Sequence, residues 1–197
     1  MPSGPNGSSD APSTTNNNSS SNSSTATTNP QGAENQPPTT TTATPSPKNL
    51  DVAIFDPFSR IRARTWLHDR SERDTYKLLI DAYRLRMEDN YKFQGYIDID
   101  CVLSGEVPTS IRGLTRFLRR LHKRAPDLLP SWWDTGKDDE CKRIGMTSGA
   151  WEYLGHAVEK ADIMEHYGDP YMPMQLRMFA EPICGSHPSG HDREVTL

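Results

Sequence analysis

The stretch IRGLTRFLRRLHKR, residues 111–124, leaves the chain little choice but a helix. Ile111, Leu114, Phe117, Leu118 and Leu121 recur at three- and four-residue intervals, which places them on one side of a 3.6-residue period. Arg112, Arg116, Arg119, Arg120 and Lys123 form a second stripe on the other side. The first face has to be buried against another element, and the second has to meet water or acids. Thr109 or Ser110 is placed to start this helix, and Pro126 ends it or follows its end.

A second stripe precedes it: Tyr76, Leu79, Ile80, Tyr83 and Met87 predict a core-facing helix ending near Asn90. It opens at SERD, where Ser71 can cap and Asp74 can answer as the other half of a capping box. Between the two helices, GYIDIDCVLSG alternates like a strand, but a lone strand cannot satisfy its own backbone, so it reads as an extended connection. LLPSWWD is a loop leading into the short charged helix KDDECKRIG, closed by Gly145. A third long helix is expected from Thr147 or Ser148, carrying Trp151, Leu154, Val158, Ala161 and Met164 and ending at Gly168. Gly168-Asp169-Pro170 then breaks the chain, and Pro173 starts a last short helix stopping around Pro182. Met174, Leu176, Met178 and Phe179 supply its apolar contacts, so this methionine-rich corner reads as structural.

Residues 1–47 belong to a different physical regime. They are almost wholly Ser, Thr, Asn, Pro, Gly and Ala, with Asp10 and Glu34 the only charges. Such a segment cannot bury enough apolar surface to offset its ordering entropy. The expected organisation is a disordered tail over 1–50, a helical domain over 51–185 and a flexible C-terminal tail over 186–197. The fold class is mainly α: a small irregular bundle of about four to five helices.

Charge and composition exclude several functions. A net charge of −4 argues against a general nucleic-acid binder. No run approaches the roughly 18 apolar residues of a membrane span. The start MPSGPNGSSD has neither the charged opening nor the apolar core of a secretory signal, and the first basic residue is Lys48. The expected location is cytoplasmic or nuclear, with Cys101, Cys141 and Cys184 as free thiols, since three widely spaced cysteines make no disulfide framework.

Candidate chemistry is sparse. CGSHPSGH brings Cys184, His187 and His191 within reach of a metal, but three ligands in this spacing match no standard zinc pattern, and no metal or cofactor is expected. Glu88 and Asp89, or Glu159, Asp162 and Glu165, offer carboxylates for acid–base work, yet such acids beside basic residues commonly form solvated faces or i,i+4 pairs. No nucleophile elbow, P-loop or dinucleotide glycine pattern occurs. Trp132 and Trp133 are either an exposed hot spot or buried loop anchors. The basic stripe from Arg112 to Lys123 is the best surface feature, suited to an acidic protein partner, RNA or a phospholipid surface. It could equally pair with Asp138, Asp139 and Glu140.

Four stretches together resemble a known group: TWLHDRSERDTYKLLIDAYRLRMEDNY at 65–91, RGLTRFLRR at 112–120, LLPSWWD at 128–134 and AVEKADIMEHYGDPYMPMQLRMFAE at 157–181. They are similar to the region that accompanies an N-terminal MYND-type zinc finger in filamentous-fungal proteins, over roughly residues 54–185. The resemblance implies a helical companion domain. A MYND finger needs a dense series of Cys and His ligands, whereas the first cysteine here is Cys101, so the finger itself has no counterpart in this sequence. The expected function is therefore a non-enzymatic helical protein-interaction domain, adaptor or regulatory. The alternative is an enzyme or accessory catalyst, for example in fungal metabolism, with an inter-helical pocket lined by Tyr83, Trp151 and the methionine corner.

Overall fold

The computed structural model describes residues 47–186, a mainly α, irregular bundle. Its helices are α1 (Pro57–Arg62), α2 (Glu72–Gln94), α3 (Ile111–Arg124), α4 (Thr135–Gly145), α5 (Lys160–Tyr167) and α6 (Met172–Cys184). Short 3₁₀ turns at Val102–Ser104 and Pro126–Leu128 complete the regular structure, and the described residues contain no strand. Of the tails expected over 1–50 and 186–197, residues 1–46 and 187–197 lie outside the described residues. The boundary at 50 moves: Lys48 N–H bonds the Tyr167 carbonyl at 2.7 Å, and Leu50 is buried in the core.

α2 is the axis of the bundle, with α3, α4 and α6 packed around it. The expected single apolar stripe is too modest a description. From Asp74 to Asp89 every residue except the half-buried Met87 is buried, so the helix is covered on all sides. Burying an unpaired charge costs several kcal/mol, on the order of 3–5, and the charges of α2 accordingly have partners. Lys77 Nζ donates to the Asn49 carbonyl at 2.5 Å, Arg86 donates to Asn90 Oδ1 and the Ser186 carbonyl, and Asp89 takes a two-pronged pair from Arg177.

Both ends of α2 correct the sequence expectation. Ser71 Oγ accepts the Asp74 N–H at 3.0 Å, but the Asp74 carboxylate does not reach back to complete a box. It accepts the N–H groups of Asp51 and Val52 at 2.9 Å and pins the incoming chain to the helix start. The helix passes Asn90 and ends at Gly95, whose φ of +63° reverses the chain.

The long helix expected from Thr147 does not form: 147–158 is a series of turns. Tertiary partners take the backbone groups a helix would need. Arg84 occupies the carbonyls of Trp151 and His156, the Leu154 N–H bonds the Gly145 carbonyl, and the Ser110 N–H bonds the Leu154 carbonyl. Helix α5 begins only at Lys160, after a capping box between Glu159 and Asp162. Gly168, at φ +60°, does end it. Beyond the corner α6 runs through Pro182 to Cys184 rather than stopping at the proline. Its buried side is Met172, Leu176, Phe179 and Ile183, while Met174 is 47 % exposed. α1, which the sequence pattern did not suggest, is capped by Asp56, whose side chain accepts the Ser59 N–H.

Candidate functional site

α3 sorts its two stripes as their spacing requires. Leu114, Phe117, Leu118 and Leu121 are buried, whereas Arg112, Arg119, Arg120 and Lys123 are exposed. Arg116 is half-buried and behaves differently from its neighbours. It pairs with Asp98 and Asp100 on the segment following α2, with Nη2 at 2.6 Å from both Asp98 oxygens. Burial works against the Asp98 charge, but the Arg116 guanidinium and the Asp100 N–H outweigh it and hold the carboxyl below its usual range.

The acids at 138–140 are used elsewhere. Asp138 lies 2.9 Å from His122 Nε2, Asp139 pairs with Lys142, and Glu140 pairs with Arg143. The alternative pairing of the basic stripe with this triplet is not seen among the described residues, where its acids meet His122, Lys142 and Arg143.

The alternation of Tyr96-Ile97-Asp98-Ile99-Asp100 gives the extended connection two faces. Asp98 and Asp100 turn in to Arg116, and Ile97 and Ile99 turn out. Together with Tyr91 and Phe93 at the end of α2, this exposes five large apolar side chains, from 40 % at Ile97 to 69 % at Ile99. Exposed large apolar side chains grouped within residues 91–99 stand out from hydrophobics scattered singly over a surface. The basic stripe was legible in sequence; the apolar half was hidden, because its alternation reads as a strand or linker until the two aspartates have a destination.

Trp132 and Trp133 are both half-buried. Trp133 Nε1 donates to Asp138 Oδ1 at 2.9 Å, and its ring meets Tyr76 edge-on at 5.5 Å. Trp132 leans on Trp133, with the Lys137 ammonium 5.8 Å from its ring centre.

Of the residues expected around an inter-helical pocket, Trp151 is drawn into a closed, largely buried network. Asp81, fully buried, accepts Tyr167 Oη and Trp151 Nε1 on one oxygen and Arg84 Nη1 on the other, at 2.7, 2.8 and 2.9 Å. Burial pushes the Asp81 carboxyl up, and Arg84, Trp151 and Tyr167 oppose it. The Trp151 ring stacks on His166 with centres 3.8 Å apart. Beside Tyr83 there is a cavity of only ≈ 10 Å³. Most of the other candidate acids are engaged too: Glu88 with Lys92 at i,i+4, Lys92 also with Glu159, and Asp162 in its cap, while Glu165 is exposed.

Among the described residues no three metal-ligating side chains gather. Cys184 is half-buried with its thiol pushed up by burial, and its suggested co-ligands His187 and His191 lie outside the described residues. Cys101 and Cys141 are buried and free. No helix among the described residues is long and apolar enough to cross a membrane.

These features define an α-helical bundle with an exposed basic helix face and an exposed apolar segment. Comparison with protein families, with curated proteins and with solved structures finds no match to the chain.

Proposed function

We propose that the chain is a non-enzymatic helical interaction domain, adaptor or regulatory in role, that binds an acidic protein segment in the cytosol or nucleus. One observation carries this reading: five large apolar side chains within residues 91–99 are exposed on a fold that also exposes Arg112, Arg119, Arg120 and Lys123, and Arg116 ties the two segments together through Asp98 and Asp100. Aromatic and arginine side chains dominate binding energy at protein interfaces, and a basic rim steers an acidic partner towards them. Arg116 serves this surface from inside by holding Asp98 and Asp100, so that Ile99 between them and Ile97 before them face outward. The resemblance of residues 54–185 to the companion region of fungal MYND proteins supports the same class.

The test is affinity purification from the native source with two baits. The second bait carries Arg119→Glu and Arg120→Glu with Ile99→Asp, all at exposed positions. The expected result is a reproducible acidic partner retained by the first bait and lost from the second, whose circular dichroism is unchanged. Nuclease-sensitive recovery would point to RNA instead, and equal recovery by both baits would refute this surface.

A further inference from the structure

A groove of about 490 Å³ runs beside the corner between α5 and α6, a size common for small-molecule sites. Ile54, Pro57, Phe58, Pro170 and Tyr171 give it apolar walls, and the rings of Phe58 and Tyr171 meet edge-on at 6.4 Å. Arg70 is the feature that needs explaining. It lines the groove, yet is only 5 % exposed and makes no ion pair among the described residues. Its Nε and Nη1 rest on the carbonyls of Trp66 and Val52, which accept hydrogen bonds but supply no full negative charge. Asp74 acts on it electrostatically, but both Asp74 oxygens are held by the N–H groups of Asp51 and Val52.

Gln175 and Asp169 in the groove are already matched. Gln175 accepts Trp66 Nε1 and donates to Asp169 Oδ2, while Asp169 Oδ1 accepts the Tyr171 N–H. Lys48, exposed at the rim, adds a second positive charge against the single acid Asp169. The two carbonyls and the Trp66 ring, 5.1 Å from the guanidinium, offset part of the desolvation cost of this buried cation, but no carboxylate is bonded to it. Burial pulls its pKa down to about 10, in spite of Asp74.

We infer that this groove binds a small organic anion, with an apolar, ring-sized body against Ile54, Phe58 and Tyr171 and its carboxylate on Arg70. Such a ligand supplies the charge Arg70 lacks and covers the apolar walls in one step. This site is independent of the α3 surface and stands or falls separately.

The experiment is calorimetric titration of the full chain with 2-naphthoate and with its neutral counterpart 2-naphthalenemethanol. The acid is expected to bind at least tenfold more tightly than the alcohol. Arg70→Gln should erase that preference and Arg70→Lys should keep part of it. Ala53→Trp, at an exposed position on the groove, should weaken both ligands while leaving the circular dichroism unchanged. If Arg70→Gln does not fold, the acid–alcohol comparison and Ala53→Trp decide. Equal affinity for acid and alcohol overturns the inference, as does a preference that survives Arg70→Gln. So does no uptake of either probe, the result if the chain's own N-terminal segment fills the groove. A short peptide ending in a free phenylalanine carboxylate that binds tenfold tighter than naphthoate also overturns it, making a chain terminus the occupant.

Discussion

The phenol of Tyr167 donates a 2.7 Å hydrogen bond to Asp81, joining the last residue of α5 to the middle of α2 across 86 positions of sequence. Both groups are buried, and Arg84 and Trp151 complete the arrangement. Tyr167→Phe should cost about 1–3 kcal/mol, the range for leaving a buried acceptor short of one donor. Asp81→Ala should cost more, about 3–5 kcal/mol, because Arg84 is left buried without its carboxylate. Urea denaturation of the two variants checks the ranking, and an Asp81→Ala cost below that of Tyr167→Phe contradicts it.

The methionines of the corner should divide sharply. Met172 is fully buried and Met174 is about half exposed. Met172→Lys should unfold the domain or cost on the order of 3–5 kcal/mol by burying an unpaired charge. Met174→Lys should stay within about 0.5 kcal/mol, as surface changes do. Thermal melts of the pair are enough, and a large loss from Met174→Lys would mean that its side is covered by something.

Gly113 is required by the closeness of α3 to α2. A Cβ there would sit 1.9 Å from Tyr83 Oη and 2.8 Å from the ring carbon that bears it. Alanine is the better helix former by about 1 kcal/mol, yet overpacking should cost about 1–3 kcal/mol, so Gly113→Ala should destabilise. Adding Tyr83→Phe removes the nearest clashing atom and should restore part of the loss. A double variant no better than the additive sum of the singles would show that the ring, not the hydroxyl, sets the distance.

His166 gives the fold a pH dependence. Burial holds its imidazole below the ordinary value; Lys77 and Arg84 act in the same direction and Glu152 against them. The unfolded chain therefore binds the proton more readily than the folded one. The contribution of neutral His166 is complete above the unfolded value of about 6.5 and is lost as the pH falls from there through the lower folded value. His166→Phe keeps a ring on Trp151 but cannot titrate. Its melting temperature should fall less than that of the wild type between pH 7.5 and 5.5, and identical slopes would exclude His166 as the source.

The helices α2, α3 and α4 could be read from the chain because each is written in local terms. Periodic side chains such as Leu114, Phe117 and Leu121 and a capping Ser71 act within a few residues of one another. The basic face of α3 was legible for the same reason. What lies between the helices was not. Residues 147–158 carry a helical apolar pattern, but Arg84, Gly145 and Ser110 claim their backbone groups from a distance. Asp74 satisfies the motif of a capping box and instead binds Asp51 and Val52. Periodicity also proposes an apolar stripe for α2 without revealing that the helix is enclosed, since enclosure depends on how many neighbours surround it.

The two candidate sites divide along the same line. Amino-acid spacing alone determines that Arg112, Arg119, Arg120 and Lys123 share a helix face, because 3.6 residues per turn is a property of the backbone. Only the folded chain decides that Arg116 leaves that set for Asp98 and Asp100, that Met172 rather than Met174 enters the core, and that Arg70 faces a groove. Each of those outcomes depends on which charge or apolar surface lies within a few ångströms, and the residues concerned are up to 109 positions apart, as Trp66 and Gln175 beside the groove are. Local propensity carries no information over that separation; packing and the cost of an unpaired buried charge do.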